Sequence, residues 1–311
     1  MPDITPNQKL AIVENGFSGH TLSAAYRRAI CARAQTQARP ANLGLLERSP
    51  NASTNSCNGS SMGGNMKPRH VISRVIRKAS KPIFRAIGRD SITCTKVMPR
   101  DDLKEIGTAY GGWIIPESLL DSNSICYCVG CGEDISFDLG LINQIGCHVL
   151  GFDPTPRAIE YVREHIRQYE KYRFSEVGIW NKEDILKFYA PQNPEHVSHS
   201  LLNLQQTQVY FEAKVKRLSD IMRENSHKKL DLLKLDVEGA EYKVINSIIE
   251  DKLDIKILCV EYDECFHPLD NNYSKRIREA ISTIIQTGYS LVCAQGNGNY
   301  TFVKNADART N

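Results

Sequence analysis

Acid is nearly missing from the first third of this chain. Residues 1–100 carry sixteen Lys and Arg against four Asp and Glu, while the whole chain has a net charge of only +3. The sequence therefore divides into a basic leader and a near-neutral to acidic body. Long apolar runs are missing too. None approaches the roughly 20 residues that span a bilayer, and MPDITPNQKL lacks the basic flank and apolar stretch of a secretory signal. A soluble protein is the expectation. Ten cysteines among 311 residues do not make a small disulfide scaffold. Cys126, Cys128, Cys259 and Cys293 lie in apolar runs, where a thiol behaves as a small hydrophobe. A reducing, cytoplasmic location is expected, with organelle import through the basic leader as the alternative.

The body has the apolar content for a sizeable core, and the leader does not. Residues 1–66 include SPNASTNSCNGSSMGGN, whose Ser, Asn and Gly cannot offset the entropy of ordering. Residues 67–104 read as a basic amphipathic helical linker. Within 67–89, Val71, Ile72, Val75, Ile76 and Ala79 recur at helical spacing among Arg69, Arg74, Arg77 and Lys78. That helix either packs on the main domain or makes peripheral contact with an anionic membrane. From 105 to 305 strand and helix patterns alternate, and a short tail covers 306–311. The alternation ends in two closely spaced strand patterns, YSLVCA and NYTFVK. This order implies an α/β doubly wound, mostly parallel sheet with an antiparallel edge. DISFDLGLINQIG reads as a helix over 134–146 and FSEVGI as one strand over 174–179.

The stretch CYCVGCGEDISFD at 126–138 poses the functional question. A structural zinc site needs four ligands, commonly in paired cysteine groups. Cys126, Cys128 and Cys131 have no second pair elsewhere and no evident fourth ligand, so no metal is expected. Gly130 and Gly132 instead follow a buried strand and precede a helix, the arrangement that brings backbone close to a ligand. Asp153 ends the next strand about 20 residues on, where a carboxylate meets ribose hydroxyls. Glu133 and Asp134 occupy the place where a dinucleotide would set its diphosphate. Two acids there oppose a diphosphate and favour the sulfonium and ammonium of S-adenosylmethionine.

These residues resemble the FkbM-type methyltransferases. The resemblance rests on YGGWIIP (110–116), VGCGEDISFD (129–138), GFDPTP (151–156), GIW (178–180), HVSHSL (196–201) and LLKLDVEGAEYKVI (232–245), and covers about residues 105–305. It implies a class I, Rossmann-like sheet of seven strands and methyl transfer from S-adenosylmethionine to oxygen. The implied acceptor is a hydroxyl of a carbohydrate or small natural product. No nucleic-acid partner is expected, because the aromatic-flanked Pro-Pro signature of base-amine methylation is missing. Two other readings stand beside it: a catalytically inactive binding module of the same fold, and a nucleic-acid methyltransferase.

An alcohol is a poor nucleophile and benefits from a base, and ligands in open α/β sheets sit beyond the carboxyl ends of strands. Asp236, Glu238 and His199 are therefore the catalytic candidates. Asp236 could instead cap the following helix, with Glu238 and Glu241 as its first-turn acids. A divalent metal held by this Asp/Glu cluster together with Glu261, at the end of the next strand, is the lesser alternative. Tyr110, Gly130, Gly132, Glu133, Asp134, Asp153 and Asp236 are the cofactor-binding candidates, and Tyr110 with Trp113 forms either a lid or a packed edge.

Overall fold

A computed structural model describes residues 84, 86–193, 199–203, 205–295 and 298–306. They fall within one unit, Asn65–Asn311. The leader, most of the 67–89 stretch with its proposed membrane contact, and His196 lie outside the described residues.

The first hairpin joins β1 (Leu103–Ile106) to β2 (Trp113–Pro116), with Ile106 opposite Trp113. The glycine stretch then links β3 (Ile125–Val129) to α1 (Ser136–Gly140). The predicted helix over 134–146 is shorter and less regular than its pattern implied. A π turn, Leu141–Ile145, continues α1, and Gly146 ends it in the left-handed conformation at φ 90°. β4 (His148–Phe152) leads to α2 (Pro156–His165), whose proline takes the first helical position after Thr155.

FSEVGI does not form a single strand. β5 (Tyr172–Ser175) joins the main sheet and β6 (Gly178–Trp180) joins a second one. The split follows from pairing partners: β5 lies beside β4, whereas Gly178 faces Val215 in a small sheet. That sheet is completed by β7 (Asp184–Tyr189) and β8 (Tyr210–Arg217). The chain continues through α3 (Leu218–Glu224), β9 (Lys229–Leu235), α4 (Glu241–Glu250) and β10 (Asp254–Glu261). It closes with α5 (Tyr273–Gln286), β11 (Tyr289–Ala294) and β12 (Asn299–Lys304).

The main sheet has seven strands in the order β11-β12-β10-β9-β3-β4-β5. β12 runs antiparallel to both neighbours, and the remaining pairs are parallel. This is the α/β class I methyltransferase sheet. Side chains alternate across it with the period of two that strands impose. Tyr127, Val129, Leu233 and Leu258 pack on one face, and Cys126, Cys128, Leu232, Ile257 and Cys259 on the other. Each large aliphatic or aromatic side chain buried here contributes roughly 1.5–3 kcal/mol. Cys126 and Cys128 are thus core residues, and Cys131 is buried as well. Trp113 is likewise only 1% exposed, so it is packed edge and not lid.

The docked body starts earlier than residue 105. Met98 donates its N–H to Leu291 O at 2.7 Å, and Tyr300 donates to the buried carboxylate of Asp90 at 3.1 Å. In place of a helical linker, residues 89–96 turn back on themselves through an Arg89–Lys96 bridge. Asp90 holds the turn by accepting from Thr93 N–H and hydroxyl, both at 2.7 Å. The amphipathic pattern could not show this, because it is made by a buried acid and a tyrosine about 200 residues away.

Candidate active site

The parallel strands all end on one side of the sheet, and β3 carries the reversal of strand order between β4 and β9. Open α/β folds bind ligands at such a switch point. A cleft of about 310 Å³ lies there, lined by Gly130, Gly132, Asp153, His199, Asp236 and Glu261 among others.

Gly130 stands where two strand ends meet. It donates its N–H to Phe152 O at 2.9 Å, and Asp236 N–H reaches Val129 O at 3.2 Å. Its φ is +80°, and a β-carbon there would lie 1.9 Å from the carbonyl oxygen of Asp236. Only glycine lets β3 turn out of the sheet this close to the end of β9. Gly132 follows at φ +53° and donates its N–H to Asp153 Oδ2 at 2.9 Å. The other oxygen of Asp153 accepts from Thr155 N–H at 2.8 Å. The aspartate at the end of β4 thus holds the glycine turn and the start of α2 together. Each carboxylate oxygen retains a further lone pair, and Asp153 lines the cleft.

The two acids that follow the glycines, Glu133 and Asp134, line the cleft and also have partners within the protein. Glu133 makes a two-pronged ion pair with Arg157 of α2, at 2.8 and 3.1 Å, which offsets its charge. Asp134 is a staple: it accepts from Thr108 hydroxyl at 2.5 Å and from Ser136 N–H at 2.9 Å. Thr108 N–H in turn donates to Ser136 Oγ at 2.8 Å. These bonds dock the segment before β2 against the glycine loop and leave Tyr110 at the cleft rim, 82% exposed. Four further carboxyl groups line the cleft, those of Asp236, Glu238, Glu261 and Asp263.

Asp236 does not cap a helix. α4 begins at Glu241 with Ala240 in the capping position, five and four residues beyond it. The intervening turn puts Glu238 at φ +50° and Gly239 at φ +97°. Glu238 is a non-glycine residue in the left-handed region, which costs on the order of 1–3 kcal/mol. Ser200 hydroxyl donates to Glu238 O at 2.8 Å and ties the 199–203 segment to this turn. His199 beside it lines the cleft and meets Phe211 edge-on, ring centres 5.1 Å apart. His199, Asp236 and Glu238 are therefore brought to one wall.

Sequence reading passed over Lys234. The residue lies in the apolar run LLKL and is 5% exposed. Its ammonium donates to Gly130 O at 2.5 Å and stands 3.4 Å from Asp236 Oδ2. Burial opposes its charge, but Asp236 and Asp138 outweigh burial and raise its pKa. Asp138 of α1 is itself buried and accepts from Tyr172 hydroxyl at 2.6 Å. A lysine flanked by leucines in LLKL was the available signal. Asp263 was also missed; it follows β10 by two residues and lines the cleft.

Crowded acids beneath the wall do not all ionise. Burial, then the charge of Asp236, pushes Glu261 up to about 9. Burial pushes Glu241, 1% exposed, up to about 8 despite the N–H that Gly239 donates to it at 2.8 Å. A carboxyl raised in the folded state binds more protons than its unfolded counterpart between the two pKa values. Stability from Glu241 is therefore greatest below about 4.5 and is lost as pH rises towards about 8. Glu241→Gln should flatten this decline and raise stability at pH 8 by at least about 1 kcal/mol, roughly 2–4 °C in Tm. Melting curves of both proteins from pH 5 to 9 check it, and parallel declines would contradict it.

The seven-stranded sheet, the glycine turn and the strand-end aspartate together make a Rossmann-like ligand cleft. The chain belongs to the FkbM methyltransferase family: the family model described as Methyltransferase FkbM domain matches residues 121–291. Two curated relatives carry the name probable methyltransferase-like protein 24. The rat protein (Rattus norvegicus) is 24% identical over 58% of this chain and 46% of its own length. The human protein (Homo sapiens) is 31% identical over 41% of this chain and 29% of its own. The chain thus spans less than half the length of these relatives. Among solved structures, the METTL16 MTase domain aligns over 78% of this chain and 83% of its own, at 12% identity and a TM-score of 0.37.

Proposed function

We propose that this chain transfers a methyl group from S-adenosylmethionine to a hydroxyl oxygen of a carbohydrate or small natural product. The observation that carries the reading is the cleft itself. A backbone turn at Gly130–Gly132, braced by Asp153, faces a wall of Asp236, Glu238, Glu261 and Asp263. Such a lining suits a ribose and a cationic sulfonium. It opposes a diphosphate, since Lys234 is the sole Lys or Arg among the described lining residues and is already engaged with Gly130 and Asp236.

In this reading Asp153 accepts from the ribose hydroxyls, and the backbone at Gly130 and Gly132 lies against the cofactor. Tyr110 closes the rim above it. The cofactor, when bound, supplies an activated methyl group. The chain's part is to hold the acceptor oxygen in line with that group and to exclude water. Asp236, Glu238 and His199 stand where the acceptor would enter, so the oxygen can lose its proton as it attacks.

Calorimetric titration with S-adenosylmethionine tests the first half, with micromolar affinity, about −8 kcal/mol, expected. Transfer of tritiated methyl into fractionated glycans, lipids and small metabolites tests the second. Absence of cofactor binding would support a binding module in place of an enzyme, and label in nucleic acid would overturn the acceptor class.

A further inference from the structure

One ammonium group stands among the acids of the cleft, and it reaches both strand ends that meet there. Lys234 lies in the sheet between Cys128 of β3 and Cys259 of β10, both buried. Gly130 comes two residues after Cys128, and Asp236 two residues after Lys234. That offset is about 6–7 Å along a strand, a span that an extended lysine side chain covers. The ammonium accordingly donates to Gly130 O at 2.5 Å and stands 3.4 Å from Asp236 Oδ2.

Stability alone does not call for a lysine at this position. The residue is 5% exposed, and taking its charge out of water costs free energy that an apolar side chain of similar shape avoids. What the charge provides is a clamp. The backbones of Gly130 and Asp236 already touch, since a β-carbon on Gly130 would lie 1.9 Å from Asp236 O. Lys234 adds a side-chain link across the same junction. Asp153 holds the glycine turn from the β4 side, by accepting from Gly132 N–H at 2.9 Å. Lys234 holds it from the β9 side and engages Asp236 with the same ammonium. The side chain of Asp236 is 27% exposed and that of Lys234 only 7%. The carboxylate is therefore the member of the pair that a ligand in the cleft can reach.

We propose that Lys234 is a positioning residue: its ammonium ties the glycine turn to the carboxylate of Asp236 and so fixes the separation between the cofactor side and the acceptor side of the cleft. The proposal rests on the methyl-transfer reading above. In-line displacement needs the acceptor oxygen, the methyl carbon and the sulfur aligned, and a misplacement of about 1 Å costs on the order of 100-fold in rate. Lys234 takes no proton in this role. It acts through Gly130 and Asp236, which lie at the ends of adjacent strands.

Two measurements on the full chain test this. Denaturant unfolding of Lys234→Met, Asp236→Asn and the double variant should show a coupling of at least about fivefold in the unfolding equilibrium constant. That cycle needs neither cofactor nor acceptor, and additive effects overturn the tie. A double variant that folds where Lys234→Met does not is the same coupling in a stronger form. Failure of both to fold makes the lysine a scaffold residue and overturns the positioning role. Tritiated-methyl transfer into the best fraction of a small-metabolite extract should fall at least about 100-fold in kcat in folded Lys234→Met. Its affinity for S-adenosylmethionine should fall less than about tenfold. A fall in kcat below about tenfold, or a loss of affinity as large as the loss in kcat, overturns the proposal. A wild-type protein that binds no S-adenosylmethionine, or labels no fraction, defeats the methyl-transfer reading instead. The unfolding cycle then still decides whether Lys234 and Asp236 act as one unit.

Discussion

Gly130→Ala is expected to abolish cofactor binding and to destabilise the fold more than any other single change at the site. The added β-carbon would stand 1.9 Å from Asp236 O and 2.9 Å from Asp236 C, both backbone atoms that cannot swing away. Relief requires parting the ends of β3 and β9, which carry the glycine loop and Asp236. The backbone at φ +80° adds strain on the order of 1–3 kcal/mol, and overpacking adds a further 1–3 kcal/mol. A loss of at least about 3 kcal/mol is expected, with affinity for S-adenosylmethionine reduced beyond about 100-fold. Gly288→Ala separates the two causes. Gly288 has φ +97°, with nothing within 4 Å of its added β-carbon, so it should show strain alone and leave binding intact. Denaturant unfolding and calorimetry on both variants check this, and equal stabilities would remove the steric argument.

Asp153→Ala is the second large effect. It removes two charge-assisted bonds inside the protein, from Gly132 N–H at 2.9 Å and Thr155 N–H at 2.8 Å. Each such bond is worth roughly 1.5–3 kcal/mol. The ribose contacts are lost with them, so affinity should fall at least about 30-fold, or about 2 kcal/mol. Asp153→Asn keeps the shape and one acceptor oxygen and should fall less. If Asp153→Ala folds and binds cofactor like the wild type, the ribose assignment is wrong. The glycine turn would then owe nothing to this carboxylate.

Much of this protein could be read from its sequence, because strand and helix periodicity is a local property. YSLVCA and NYTFVK form β11 and β12 at their predicted limits, and the antiparallel edge follows from the short span between them. Gly130, Gly132 and Asp153 were legible because a glycine turn after a buried strand and an acid at the next strand end are fixed by chain order. Family membership was legible for the same reason, through DVEGAE after LLKL.

Tertiary structure decided what each acid does. Glu133 and Asp134 carry charge of the expected sign, but Arg157 and Thr108 engage them across 24 and 26 residues of chain. Asp236 had a cap as its alternative reading, and the turn at Glu238 puts the helix start at Glu241 instead. Lys234 and Asp263 acquire their roles only where β3, β9 and β10 lie side by side, since no local pattern reports the partner a buried charge will find. Chain order and local periodicity were enough for the sheet, the loop and the family. Which carboxylates brace the scaffold and which line the cleft depended on contacts made only when distant strand ends converge.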